Sequence, residues 1–104
     1  MASSKSFLEY VLDQLADLSE LRYRAMMGEY ILYYRGRIPA YICDDRLLVK
    51  PVPAAQALLP DASYEQPYPG AKEMLCVDKV DDRVFLAELF EAMYEELPEP
   101  KRKK

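Results

Sequence analysis

Leu8, Val11, Leu12, Leu15 and Leu18 recur with the 3.6-residue period of a helix that buries one face, and Glu9, Asp13, Asp17 and Glu20 fall mainly off that stripe. The pattern predicts a first helix from about Phe7 to Leu18. Ser6 and Glu9 stand at the S-x-x-E spacing of a capping box at its start. From Ala25 to Cys43 the period changes. Tyr, Ile, Leu and Met now gather on both sides of Arg35-Gly36, which predicts two strands joined by a tight hairpin, with Gly36 supplying the positive φ of the turn. Asp44 and Asp45 separate Tyr41-Ile42-Cys43 from Leu47-Leu48-Val49, so a third strand completes an antiparallel meander. Pro39 removes a backbone donor early in the second strand, placing that stretch at an edge or delaying its pairing. Gly28, alone inside a strand pattern, marks a bulge or a crowded contact.

Pro51 and Pro53 follow the third strand, and Ala54 to Leu59 has the propensity for a short second helix that Pro60 stops, crossing the end of the sheet. Tyr64 to Gly70 contains Pro67 and Pro69 and predicts a loop with a brief strand before it. Met74 to Val77 is a compact apolar strand. Asp81 and Asp82 are placed to cap a third helix from Arg83 to Glu96, whose apolar stripe is Phe85, Leu86, Leu89, Phe90, Met93, Tyr94 and Leu97. Pro98 and Pro100 end it. The predicted order is α-βββ-α-ββ-α, an α+β domain over residues 1–100, with Lys101 to Lys104 as a basic disordered tail.

The 104 residues allow about one domain, and 51% apolar composition is that of an ordinary globular core. No apolar run approaches the ~20 residues of a membrane span, and Met1 to Ser6 lacks the segments of a secretory signal, so a cytoplasmic protein is expected. The net charge of −4 hides an asymmetry. Ahead of the four-residue basic tail stand ten basic and eighteen acidic groups, so the folded part carries about −8. Such a surface repels phosphate, which disfavours nucleic acid as a partner.

Catalytic chemistry finds little to work with. The chain has no histidine, and Cys43 and Cys76, 33 residues apart in apolar stretches, read as buried reduced thiols. Asp44-Asp45 and Asp81-Asp82 are adjacent pairs whose side chains diverge on a strand or turn, so turn and cap roles are expected of them. No catalytic, metal or cofactor residue is predicted.

What stands out is nine tyrosines, several of them beside arginine. Tyr30, Tyr33, Tyr34 and Tyr41 lie on the hairpin that Arg35 and Arg37 flank at its tip, and Arg46 and Lys50 follow. Aromatic and guanidinium groups together are typical of recognition surfaces. By strand alternation Tyr30 and Tyr34 share one face and Tyr33 takes the other, so some of these rings belong to the core and some face outward. Six of the ten basic residues outside the tail lie between Arg22 and Lys50, making this the one stretch where a nucleic-acid patch could form. The candidate interaction surface is therefore Tyr30, Tyr33, Tyr34, Arg35, Arg37, Tyr41, Arg46 and Lys50, and the expected partner is another protein or a second copy of the chain.

The segment Ala25-Met26-Met27-Gly28-Glu29-Tyr30-Ile31-Leu32-Tyr33-Tyr34-Arg35-Gly36, continued by Asp45-Arg46-Leu47-Leu48-Val49-Lys50, resembles the N-terminal domain of bacterial TfoX-type (Sxy-type) competence regulators. The likeness extends through Pro67-Tyr68-Pro69-Gly70, the strand at Met74 and the closing helix, nearly the whole chain. It implies a two-layer α+β domain with helices on an antiparallel sheet, a fold similar to secretion chaperones and YjbR-like proteins, with no catalytic residues and no cofactor. The sequence departs from the family pattern in having Met27-Gly28-Glu29 where Phe-Gly-Gly is more usual. Nothing follows Lys104, so the C-terminal domain of full-length competence regulators is not expected.

Overall fold

A computed structural model describes residues 5–26, 29–43, 45–67, 70–78 and 80–97. The strand glycine Gly28, Asp44 of the acidic turn, the Tyr68-Pro69 loop, the prolines Pro98 and Pro100 and the tail 101–104 lie outside them.

The first helix, α1, spans Lys5–Gln14. Ser6 lies inside it, so Ser6 does not cap it from the preceding position as the capping-box reading expects. Beyond Gln14 the chain tightens. The Leu15 amide is shared between the Val11 and Leu12 carbonyls, Ala16 N–H donates to Asp13 and Leu18 N–H to Leu15. These bonds to the third residue back carry the predicted stripe onward in narrower turns, and Leu15 and Leu18 stay buried. Glu20 then takes a left-handed φ of 60° and releases the chain into the sheet.

Six antiparallel strands follow: β1 Leu21–Met26, β2 Glu29–Tyr34, β3 Arg37–Cys43, β4 Arg46–Val49, β5 Tyr64–Glu65 and β6 Met74–Cys76. Their lateral order is β1-β2-β3-β4-β6-β5. The predicted order is kept with one strand added, β1. It pairs with β2 from Leu21↔Tyr34 to Met26↔Glu29, a hairpin where the sequence pattern suggests a single strand through Gly28. The Arg35-Gly36 turn joins β2 to β3 as expected. Both residues have positive φ, 53° and 84°, the conformation that matches a two-residue hairpin loop to the twist of its strands.

Pro39 lies not at an edge but in β3, between β2 and β4. The donor that Pro39 lacks would have faced the Lys50 carbonyl, which accepts from Val52 N–H instead. On the β2 side the pairs Leu32↔Ala40 and Tyr34↔Arg37 leave Ile38 and Pro39 together opposite Tyr33, a bulge beyond which regular pairing begins at Ala40. The Pro39 carbonyl still accepts from Lys50 N–H on the other side.

Helix α2, Pro53–Leu58, begins on a proline whose missing N–H would have had no helical acceptor. Helix α3, Arg83–Tyr94, is capped by Asp82, whose carboxylate accepts from Phe85 N–H at 3.0 Å. All three helices bury their stripes on one sheet face. Leu8 and Val11 of α1, Ala55 of α2, and Leu86, Leu89, Phe90 and Met93 of α3 meet Leu32, Tyr34, Ala40, Ile42, Leu47, Val49 and Leu75 in one core. Each fully buried leucine there contributes ~1.5–3 kcal/mol by leaving water. On the opposite face Cys43, Leu48 and Met74 form a small second cluster with Tyr41 and Cys76. Among the described residues no helix is long and apolar enough to cross a membrane.

Candidate functional site

Strand parity sorts the tyrosines as the sequence predicts. On β2, Leu32 and Tyr34 point into the helix-covered core and Tyr33 points to the open face. Tyr34 is 2% exposed and meets Tyr94 of α3 edge to face, ring centres 5.6 Å apart, which makes it a core residue rather than a surface one. Tyr30, on the same face, is half-buried at the margin of the core and meets Tyr23 of β1 edge to face at 5.9 Å.

The two hairpin arginines differ in role. Arg37 stacks on the Tyr94 ring at 4.4 Å, and its Nη1 donates to the carbonyls of Tyr94 (2.8 Å) and Leu97 (3.3 Å). The Tyr94 carbonyl ends α3 and also accepts from Leu97 N–H, and the Leu97 carbonyl lies just past that turn, so Arg37 pins the helix end to the sheet. Arg35 leans over the Tyr34 and Tyr94 rings at 5.3 and 5.6 Å, with its exposed side chain at the rim of a surface cleft.

That cleft, about 660 Å³, is lined by Glu20, Arg22, Tyr23, Arg24, Tyr33, Arg35 and Gly36. Arg22 and Arg24 stand opposite Tyr33 and Ile31 on the open face, both exposed, and no carboxylate among the described residues pairs with either. Tyr23, on the other face, is 46% exposed. Sequence reasoning put Arg22 and Arg24 near the site without assigning them to it. Their alternation with Leu21, Tyr23 and Ala25 was the available signal for a strand.

The remaining candidates lie elsewhere on the open face. Arg46 pairs with Glu65 of β5, each side chain about one-third exposed, and Glu65 also accepts from Ser63 Oγ. Tyr41 and Lys50 line a second cleft of about 500 Å³ with Pro51, Val52, Pro67, Lys72, Glu73, Met74 and Glu96. Partial burial strips water from the Lys50 ammonium and lowers its pKa. Glu96 on this rim is held by Ala54 N–H at 2.7 Å. The eight candidates thus divide into core and helix-pinning residues (Tyr34, Arg37), a cleft pair at the β1 end (Tyr33, Arg35) with Tyr30 beside it, and a separate group (Tyr41, Arg46, Lys50).

The thiols sit in the second cluster, Cys43 buried and Cys76 half-buried, both free. Burial first, then the charge of Asp78, pushes the Cys76 thiol up, and Arg46 offsets this in part, so the reactive thiolate is disfavoured. Among the described residues no cluster of Cys, Asp and Glu could hold a metal ion.

A family model described as the TfoX N-terminal domain matches residues 13–95 of the chain. A protein of Spirochaeta aurantia, described as an uncharacterized 12.7 kDa protein in the trpE 5′ region, is 32% identical over 105 residues, spanning 100% of this chain and 91% of that protein. No solved structure matches.

Proposed function

The chain belongs to the TfoX N-terminal domain family, and on that premise we propose that it is a regulatory domain that acts by binding a protein partner and catalyses no reaction of its own. The observation that carries this reading is the β1 end of the sheet. There an edge strand, two exposed arginines with no carboxylate partner among the described residues, a half-exposed tyrosine and the hairpin tip surround one cleft. Exposed tyrosine and arginine around a concavity are the residue types on which protein interfaces concentrate their binding energy.

A second reading, regulation through nucleic acid, draws on the same arginines. It is opposed by the acidic balance of the folded part, because nonspecific affinity for nucleic acid comes from neutralising phosphates.

The test is a photo-crosslinking amino acid placed at Tyr33 of the full chain and, as a control, at exposed Val84 on α3, with crosslinked products identified by mass spectrometry before and after nuclease treatment. A protein product specific to position 33 and indifferent to nuclease is expected. Products that vanish with nuclease would transfer the case to the second reading, and identical products from both positions would remove the β1 end as the site.

A further inference from the structure

Resting on the reading that the β1 end binds a protein, we propose that the partner adds an extended acidic segment to β1 as a seventh strand, with carboxylates at alternate positions.

The backbone comes first. In an antiparallel ladder, residues alternate between those bonded to the neighbouring strand and those whose N–H and C=O point away. Arg35 N–H donates to the Glu20 carbonyl, which fixes the phase of this ladder at the Glu20/Arg35 pair. Counting along the register, Arg22 and Arg24 turn their backbone groups toward β2, while Leu21, Tyr23 and Ala25 turn theirs outward. β1 is the last strand of the sheet on this side, so those outward groups have no strand partner among the described residues. An edge of this length is a template for another strand.

Charge then selects the occupant. Two copies of β1 pairing antiparallel about a twofold axis on Tyr23 would set Arg22 against Arg24. With the axis on Arg22 or on Arg24, that residue would face its own copy. Like charges directly opposite destabilise a strand pair, so this edge resists self-pairing and favours a partner of opposite sign. On the outer side, Arg22 and Arg24 occupy the positions without backbone bonds, where side chains of facing antiparallel strands approach most closely. Carboxylates two residues apart on an added strand would stand opposite both, with the intervening side chain on the face of Tyr23. Arg35 lines the far end of the same cleft with its guanidinium over the Tyr34 and Tyr94 rings, and Tyr33 lies beside Arg22 on the open face. Glu20 at the cleft's end marks where an acidic segment should stop. Phosphate could use the arginines and the outward N–H groups but would leave the outward carbonyls without a donor.

The probe is a short synthetic peptide alternating glutamate with valine and threonine, fluorescently labelled and titrated with the full chain by anisotropy. Two further peptides carry N-methyl groups on one or the other alternate set of amides, which blocks hydrogen bonding along one edge and leaves charge unchanged. The parent peptide should bind, one methylated series should retain that affinity and the other should lose it. The double variant Arg22→Glu/Arg24→Glu, shown by circular dichroism to be folded, should weaken the parent on the order of tenfold or more. Equal binding by both methylated series would reduce the contact to charge and overturn strand addition. So would undiminished binding to the double variant, or preference for a thymidine oligonucleotide over the peptide. No binding of the parent peptide would also overturn it, while a nuclease-resistant crosslink from position 33 would leave the protein-binding reading standing.

Discussion

At one end of the sheet β5 is two residues long and is fastened to its neighbours by Arg46 through Glu65 and by Gln56 through the Tyr64 hydroxyl. At the other end β1 runs for six residues with Arg22, Tyr23, Arg24 and Ala25 all exposed. Both ends face the hazard of an unfinished sheet, and they meet it differently. Shortness and side-chain ties blunt the β5 edge, whereas like charge guards the β1 edge. The first device closes an edge to all strands. The second closes it only to strands of the same sign, and so can double as recognition.

If that contrast is right, stability should depend on the β6 side and hardly at all on the exposed arginines of β1. Leu75 of β6 is 1% exposed and belongs to the main core. Leu75→Ala should cost about 2–5 kcal/mol in chemical denaturation. The surface substitution Arg24→Ala should stay within about 0.5 kcal/mol under the same conditions. A loss at Arg24 as large as at Leu75 would show β1 to be part of the folding unit rather than an accessory edge.

Arg37 sharpens the comparison, since it lies one turn from the open cleft yet points the other way. Arg37→Met keeps an apolar side chain but removes the guanidinium that stacks on Tyr94 and donates to the Tyr94 and Leu97 carbonyls. A loss of about 1–3 kcal/mol is expected, with faster amide exchange confined to the last turn of α3. Unchanged exchange at that helix end would remove Arg37 from its structural role and return it to the interaction surface.

These residues also show what the sequence makes legible. Period-two alternation placed Tyr34 and Tyr33 on opposite faces, and helical periodicity found the buried stripes of α1 and α3, because both signals are local. The partner of Arg37 is not local: the carbonyl it meets is 57 residues away, and only packing brings the end of α3 to the hairpin. β1 was hidden for a different reason. Arg22 and Arg24 broke the apolar run, so only their alternation signalled a strand, and Gly28 was read as a bulge within one strand rather than as a break between two. Pro39 left two readings open, an edge or delayed pairing. The sheet follows the second, with regular pairing to β2 from Ala40 onward, because where a proline falls in the ladder is a property of the pairing rather than of the residue.

Lys50 gives the smallest effect and the most specific one. It follows β4, where its amine is half-buried in the cleft shared with Tyr41, Lys72, Glu73 and Glu96, unlike the solvated arginines of β1. Burial lowers its pKa in the folded protein, so the unfolded chain holds this proton more tightly. The cost of keeping the ammonium charged is therefore fully present at neutral pH. It fades as pH rises through the lowered value toward the ordinary ~10.4. Lys50→Met should then stabilise the protein at neutral pH by no more than about 1 kcal/mol, because water still reaches the group and screens it. Tyr41 and the carboxylates are present in both proteins, so the difference between their denaturation curves isolates the amine. That difference should shrink between neutral pH and pH ~10. A difference that stays flat would mean that the amine remains as well hydrated as in the unfolded chain, and that charge is treated alike at both ends of the sheet.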